Sequence, residues 1–329
     1  MMQKVIDRKF CVAPMMGYTT SYARTLYRIL SKRTFLFSEM IATKTLINSK
    51  EIGSKIANEF QNPIALQVGG SEYKDLRLSS KLAYELNYDE INLNVGCPSK
   101  AVQKGSFGAC LMKDKLLVKN CLDAMQINRN IEVSIKCRIG LGKDFNYEFF
   151  EEFIDEILKS GIRLVYVHAR NAILNGISPK GNRNIPPLNY DFVSKIKSKY
   201  QNTTFILNGG IDSINKALEL SKLHDGVMVG RLIQSNPFCL KNVDTQFYNE
   251  KNNYIISEKT IKDYFNFIRP KFGKDSVYRL LSPLLNIFFG VPNSKEFKIE
   301  IHARMQENNF EILEKIFLNF IKEKKILIN

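Results

Sequence analysis

Ile91-Asn92-Leu93-Asn94-Val95, followed at once by Gly96-Cys97-Pro98, is a β-rich run that breaks into a Gly/Pro loop. Seven more runs of this kind stand before residue 245: Phe10-Cys11-Val12-Ala13-Pro14, Thr34 to Met40, Ile64-Ala65-Leu66-Gln67-Val68, Val133-Ser134-Ile135-Lys136, Leu164-Val165-Tyr166-Val167-His168, Phe205-Ile206-Leu207-Asn208 and Gly226-Val227-Met228-Val229. Longer amphipathic stretches separate them, the pattern of βα units around a parallel sheet. Eight units in roughly 230 residues predict a (β/α)8 TIM barrel of the α/β class. An open doubly wound sheet would show fewer strands, and no GxGxxG follows the first run, which argues against a Rossmann-type dinucleotide fold.

The chain continues differently. Beyond about residue 245 no strand run of convincing length appears, and apolar residues recur at helical spacing. Ile261, Tyr264, Phe265 and Ile268 form one stripe; Phe310, Leu313, Phe317, Phe320 and Ile321 form another. Ser257 and Ser294 are candidate N-caps, with Pro270 and Gly290 as punctuation. The expected division is a barrel over 1–245 and a small helical domain over 246–329.

The 329 residues are 44% hydrophobic and 25% charged, a globular composition that excludes collagen-like and long disordered chains. The N-terminus has neither a signal-peptide core nor a cleavage site, so a cytoplasmic protein without membrane contact is expected, and a monomer. Six scattered cysteines without CxxC spacing argue against a disulfide framework or a metal site. Lys and Arg number 48 against 33 Asp and Glu, a net charge of +15. Residues 246–329 hold 14 Lys/Arg and 10 Asp/Glu, so the excess is spread as +4 there and +11 before. Such a balance raises affinity for polyanions, although a Lys-, Ile- and Asn-rich composition produces it too.

A TIM barrel builds its active site at the C-terminal ends of its strands. Here those ends read Pro14-Met15-Met16, Glu39, Gln67, Asn94, Lys136, His168, Asn208-Gly209-Gly210 and Gly230-Arg231. A packed interior wants branched aliphatics, so polar residues closing run after run mark a ligand-lined mouth. Asn208-Gly209-Gly210 after the seventh strand and Gly230-Arg231 after the eighth stand where barrels bind phosphate through bare backbone N–H groups. Desolvating an ammonium is costly, so Lys136 at a strand end calls for an anionic partner, and a ligand that becomes negative would supply it. His168 ends a strand on the same rim. Cys97 sits on a loop just outside the mouth, where a thiol with an ordinary pKa of about 8.5 can donate a proton. Cys110 and Cys137 lack that placement, and Cys110 is expected in the core.

Several strings carry a resemblance. Ala13-Pro14-Met15-Met16, Ala65-Leu66-Gln67-Val68-Gly69-Gly70, Asp89 to Pro98, Phe107-Gly108-Ala109-Cys110-Leu111-Met112, Lys136-Cys137-Arg138-Ile139-Gly140 and Val167-His168-Ala169-Arg170 resemble the tRNA-dihydrouridine synthases. Ser178 to Leu188 further resembles their A-type subfamily, which acts on uridines at about position 20 of the tRNA D-loop. The resemblance implies FMN in the barrel, NADPH as electron donor and tRNA as substrate. It places Pro14, Met15, Met16, Gln67, Lys136, His168, Asn208, Gly209, Gly210, Gly230 and Arg231 at FMN, Asn94 at the uracil, and Cys97 as the acid. Lys180 and Arg183 match tRNA-contacting positions. In the tail, Lys295 and Lys298 stand where the subfamily shows arginines beside a tryptophan, here Phe297. Lysine there gives up the bidentate phosphate geometry of arginine.

That reading gives each rim residue work. Saturating the C5=C6 bond of uracil needs a hydride at C6 and a proton at C5, and gripping RNA by its phosphates uses the positive charge. Two alternatives are a flavin barrel reducing a small free pyrimidine or enone, and a silent RNA-binding protein. The first has no use for the charge and the tail. The second gives Lys136, His168 and Cys97 no reason to share one rim.

Overall fold

The computed structural model describes residues 6–49, 56, 58, 60–127, 130–142, 146–251 and 257–324. Its strands are β1 (Phe10–Val12), β2 (Leu36–Phe37), β3 (Ile41–Ala42), β4 (Ile64–Gly69), β5 (Glu90–Val95), β6 (Glu132–Arg138), β7 (Leu164–His168), β8 (Thr204–Asn208) and β9 (Gly226–Val229). All pairings are parallel, in the order β1-β9-β8-β7-β6-β5-β4-β2, with β3 also on β4. Two bonds close the ring: Val12 N donates to Phe35 O at 2.9 Å and Phe35 N to Phe10 O at 3.0 Å. This is the expected TIM barrel, with one correction. The second run, Thr34 to Met40, is not continuous. Leu36 pairs with Ile64 and Ile41 with Val68, so one strand spends one residue more than its neighbour over the same length, a bulge at Ser38-Glu39-Met40.

Side chains alternate between two cores, as a period of two requires. Outward residues such as Leu36, Ile64, Leu66, Val68, Ile91, Leu93 and Val95 join the helices in the large cluster. Cys11, Ala13, Phe35, Phe37, Ala65, Leu164, Tyr166, Ile206 and Met228 fill the lumen. The expectation of an aliphatic interior fails on one wall. Glu90, Asn92, Gln67 and Ser134 are buried there as a hydrogen-bonded polar column.

The tail forms the helices Glu258–Ile268, Val277–Leu281, Ser294–Arg304 and Phe310–Glu323, and both apolar stripes are buried. Phe297 is buried in an aromatic cluster, its ring 4.9 Å from Phe317 and 4.5 Å from Phe320. Ser257 caps its helix in a capping box with Thr260. Ser294 does not cap; it is the first helical residue, and Asn293 precedes it in the left-handed region at φ +66°. Tyr22 donates to Asp275 at 2.9 Å, tying the first barrel helix, Ser21–Leu30, to the tail. Among the described residues, no helix is long and apolar enough to cross a membrane.

Candidate active site

Parallel register brings the polar strand ends level. Asn94 pairs with Lys136, Arg138 with His168, and His168 with Asn208. Lys136 Nζ donates to Asn208 Oδ1 at 3.0 Å, and Asn208 Nδ2 donates to Met228 O at 2.7 Å. Burial, and then the charge of Arg138, lowers the Lys136 ammonium to about 8. Burial also pushes His168 well below the usual histidine range, helped by Arg138, Lys136, Arg170 and Arg231, so the imidazole is neutral. Among the described residues no carboxylate pairs with Lys136. Lys136, Arg138, Arg170 and Arg231 gather on this rim, and among the described residues none of the four forms an ion pair with a carboxylate.

The Cys97 loop is held from both sides. Asn94 Oδ1 accepts from Gly96 N at 3.2 Å and Cys97 N at 2.6 Å, while Nδ2 donates to Gln67 Oε1 at 2.9 Å. Arg138 Nε donates to Gly96 O at 2.8 Å. Ala109 N donates to Cys97 O at 2.9 Å, an approach that only glycine permits at position 108: φ is +79°, and a Cβ would stand 2.5 Å from that same oxygen. Cys97 is half-buried. So is Cys110, which corrects its assignment to the core; its Sγ donates to Phe107 O at 3.1 Å in the turn beneath the loop. The other four thiols are buried, and all six are free.

On the opposite side, Gly209 adopts φ +118° under His168, whose Cδ2 would lie 2.6 Å from an added Cβ. Gly230 has only ordinary neighbours, Met15 Sδ at 3.5 Å and Ala13 at 3.6 Å, which sets the first and eighth strand ends side by side. Glu39, freed by the bulge, accepts from Gly17 N at 2.6 Å and fixes the turn after Pro14-Met15-Met16. Arg231, whose charge acts on His168, donates to Asn184 Oδ1 at 2.5 Å and to Arg183 O at 3.4 Å.

Those contacts anchor the loop that carries Lys180 and Arg183, both exposed. Asn182, fully buried, exchanges hydrogen bonds with the backbone of Ile173 at 2.8 Å each, and Arg138 Nη1 donates to Asn182 O at 3.0 Å and Asn171 O at 2.9 Å. Arg170 is buried and bonds Pro186 O, but its Nε has no partner among the described residues. On the tail, Lys295 is exposed, and Lys298 Nζ donates to Asn286 Oδ1 at 2.8 Å. Asn286 in turn donates to Gln234 O at 2.9 Å, on the short helix Arg231–Ser235. Lys298 is thereby linked through one helix to Arg231 and the rim loop.

The family profile described as Dihydrouridine synthase (Dus) matches residues 11–324. The chain belongs to this family. It is therefore an enzyme, an oxidoreductase acting on uridine in tRNA. Relatives called tRNA-dihydrouridine(20/20a) synthase include those of Vibrio vulnificus, 35% identical over 96% of this chain and 98% of the relative, and of Escherichia coli K12, 38% identical over 88% and 84%. Among solved structures, morphinone reductase superposes with a TM-score of 0.51 at 11% identity, covering 77% of this chain and 88% of that one, a likeness of fold. In this dihydrouridine synthase the strand-end residues Asn94, Lys136, His168 and Asn208 lie level on one rim, and two further cations stand beside them. Arg138 stands two positions beyond Lys136 in a strand that extends further than expected, and Arg170 follows His168 at the same interval. Spacing of two on β6 sets Arg138 on the face of Lys136, whereas Arg170 lies in the bend just beyond the end of β7.

Proposed function

We propose that this dihydrouridine synthase binds FMN at the barrel mouth, takes its electrons from NADPH, and reduces uridines at position 20/20a of the tRNA D-loop. The observation that carries it is the half-buried Lys136 ammonium, bonded to a neutral amide, surrounded by further cations and without a carboxylate partner among the described residues. An anionic cofactor completes such a site, and the unpartnered Arg170 Nε points to the same missing charge. The residues present fit FMN. Pro14, Met15, Met16, Gln67, Lys136, His168, Asn208, Gly209, Gly210, Gly230 and Arg231 would hold it, with the glycine backbones and Arg231 at the phosphate. When bound, FMN supplies the hydride for uracil C6 that NADPH provides.

The chain's own groups do the rest. Lys136 offsets negative charge beside it, and neutral His168 adds a polar contact without a second positive charge. Asn94, with its carbonyl committed to the Cys97 loop, has an amide hydrogen left for the uracil. Cys97 Sγ–H gives its proton to C5. Lys180 and Arg183 from the barrel rim and Lys295 and Lys298 from the tail take tRNA phosphates, so that the cofactor-binding barrel over 1–245 and the tRNA-binding tail over 246–329 grip the RNA together. The relatives' names support the 20/20a assignment. The reading also places a monomer in the cytoplasm. Purified protein should be yellow and should reduce uridine in tRNA but not free uridine; a colourless protein, or equal activity on the free nucleoside, overturns the proposal.

A further inference from the structure

Glu90, Asn92 and Asn94 occupy alternate positions on β5 and so face the lumen together. A chain of hydrogen bonds descends from the Cys97 loop through this wall. Cys97 N donates to Asn94 Oδ1 at 2.6 Å, Asn94 Nδ2 to Gln67 Oε1 at 2.9 Å, and Gln67 Nε2 to Asn92 Oδ1 at 2.8 Å. Asn92 Nδ2 then donates to Ser134 Oγ at 2.6 Å, and Ser134 Oγ donates to Glu90 Oε1. Every donor points toward the barrel floor. There Arg8 grips Glu90 Oε2 through Nε at 2.9 Å and Nη2 at 2.8 Å, and Tyr166 OH donates to the same oxygen at 3.1 Å.

The direction of the chain has a chemical origin. A carboxylate has no hydrogen to give, so Ser134 must spend its only one on Glu90. The serine oxygen is then an acceptor, which turns Asn92 so that its NH₂ faces down and its carbonyl up. Gln67 and Asn94 follow by the same rule. With the amides so turned, Asn94 offers oxygen to the N–H groups of Gly96 and Cys97. Reversed, it would set an NH₂ against two N–H donors and release the loop.

We propose that Glu90, acting through Ser134, Asn92 and Gln67, is a positioning residue that orients Asn94 and so holds the Cys97 loop for reaction. It touches neither substrate nor cofactor. The inference rests on the reading of Cys97 as proton donor only in its consequence for turnover; its consequence for the thiol itself stands apart.

The test uses the full-length, flavin-loaded protein with Ser134→Ala and Ser134→Thr, because both leave the Arg8–Glu90 pair in place, whereas Glu90→Gln orphans Arg8 and endangers folding. Two measurements are made: the rate at which tRNA reoxidises the NADPH-reduced protein, and, without tRNA, the rate of Cys97 alkylation by iodoacetamide across pH, read by mass spectrometry at that residue. Ser134→Ala should slow reoxidation about tenfold and alter the alkylation profile, while flavin reduction by NADPH and tRNA affinity stay within about twofold of the parent. Ser134→Thr, which keeps the hydroxyl, should restore both. Parental Cys97 alkylation in Ser134→Ala, or a threonine variant no better than alanine, overturns the proposal. Normal turnover by Cys97→Ala would instead overturn the reading of Cys97 and leave the alkylation result to decide the column.

Discussion

Lys136 Nζ donates to Asn208 Oδ1 at 3.0 Å, so among the described residues the half-buried ammonium is met by a neutral amide and not by a carboxylate. The ammonium is lowered to about 8 by burial and by Arg138. An anion bound beside it favours the protonated form. FMN affinity should therefore be full below about pH 8 and fall as pH rises through that value, approaching tenfold per pH unit. Titration of apoprotein with FMN between about pH 6.5 and about 9.5 reads this directly. Lys136→Met should bind more weakly and without that slope; a variant that keeps the slope places the titrating group elsewhere. For folding without FMN the sign is opposite. Between about 8 and the ordinary 10.5 the unfolded chain holds more protons, so Lys136 makes stability rise with pH over that window.

Cys97→Ala should retain FMN and its reduction by NADPH and lose tRNA-dependent reoxidation, by roughly 10²-fold or more if the thiol is the general acid. Stopped-flow measurement of the two half-reactions separates them. Cys110→Ala, one turn below and bonded to Phe107 O, should change thermal stability more than either rate.

Two glycines give contrasting expectations. Gly209→Ala forces φ +118° on an L-residue and drives a methyl to 2.6 Å from His168, which should cost about 1–3 kcal/mol of stability and release flavin. Gly230→Ala meets its nearest atom at 3.5 Å, so stability should change little. Flavin content should still fall if the phosphate lies on that backbone. A stable, fully yellow Gly230→Ala would move the phosphate elsewhere.

Replacing Lys180, Arg183, Lys295 and Lys298 together by Gln should weaken tRNA binding and reduce the slope of log affinity against log salt by somewhat under one per lost phosphate contact. Flavin content and NADPH oxidation should match the parent. An unchanged affinity and slope across a salt series would show that the RNA is held by other groups.

The barrel was legible because its strands are short apolar runs bounded by turn signals, and the rim because polar residues closed those runs. The polar column was visible too: Glu90-Ile91-Asn92-Leu93-Asn94-Val95 alternates strictly, yet a barrel interior is expected to be aliphatic, and nothing local says that Arg8, some eighty residues away, neutralises Glu90. Arg138 stayed hidden because β6 runs two residues past Lys136, a length fixed by pairing with β5 and β7. Ser294 was misplaced by one position since Asn293, in the left-handed region, already ends the loop. Cys110 is half-buried because its turn supports the half-buried Cys97 loop rather than the barrel core.

The bulge at Ser38-Glu39-Met40 acts as a parity change in the chain. Up to Phe37 the odd-numbered residues Phe35 and Phe37 look into the lumen; after one added residue, odd-numbered Ile41 looks outward to the helices. Deleting any one residue of the three would restore the count. Ile41 would stay opposite Val68 and outward, now in unbroken alternation from Leu36, and Glu39 would lose its reach to Gly17 N. The added residue shifts the parity of the numbering while both ends of the strand keep their partners on β4, so its whole effect falls on the three residues of the bulge.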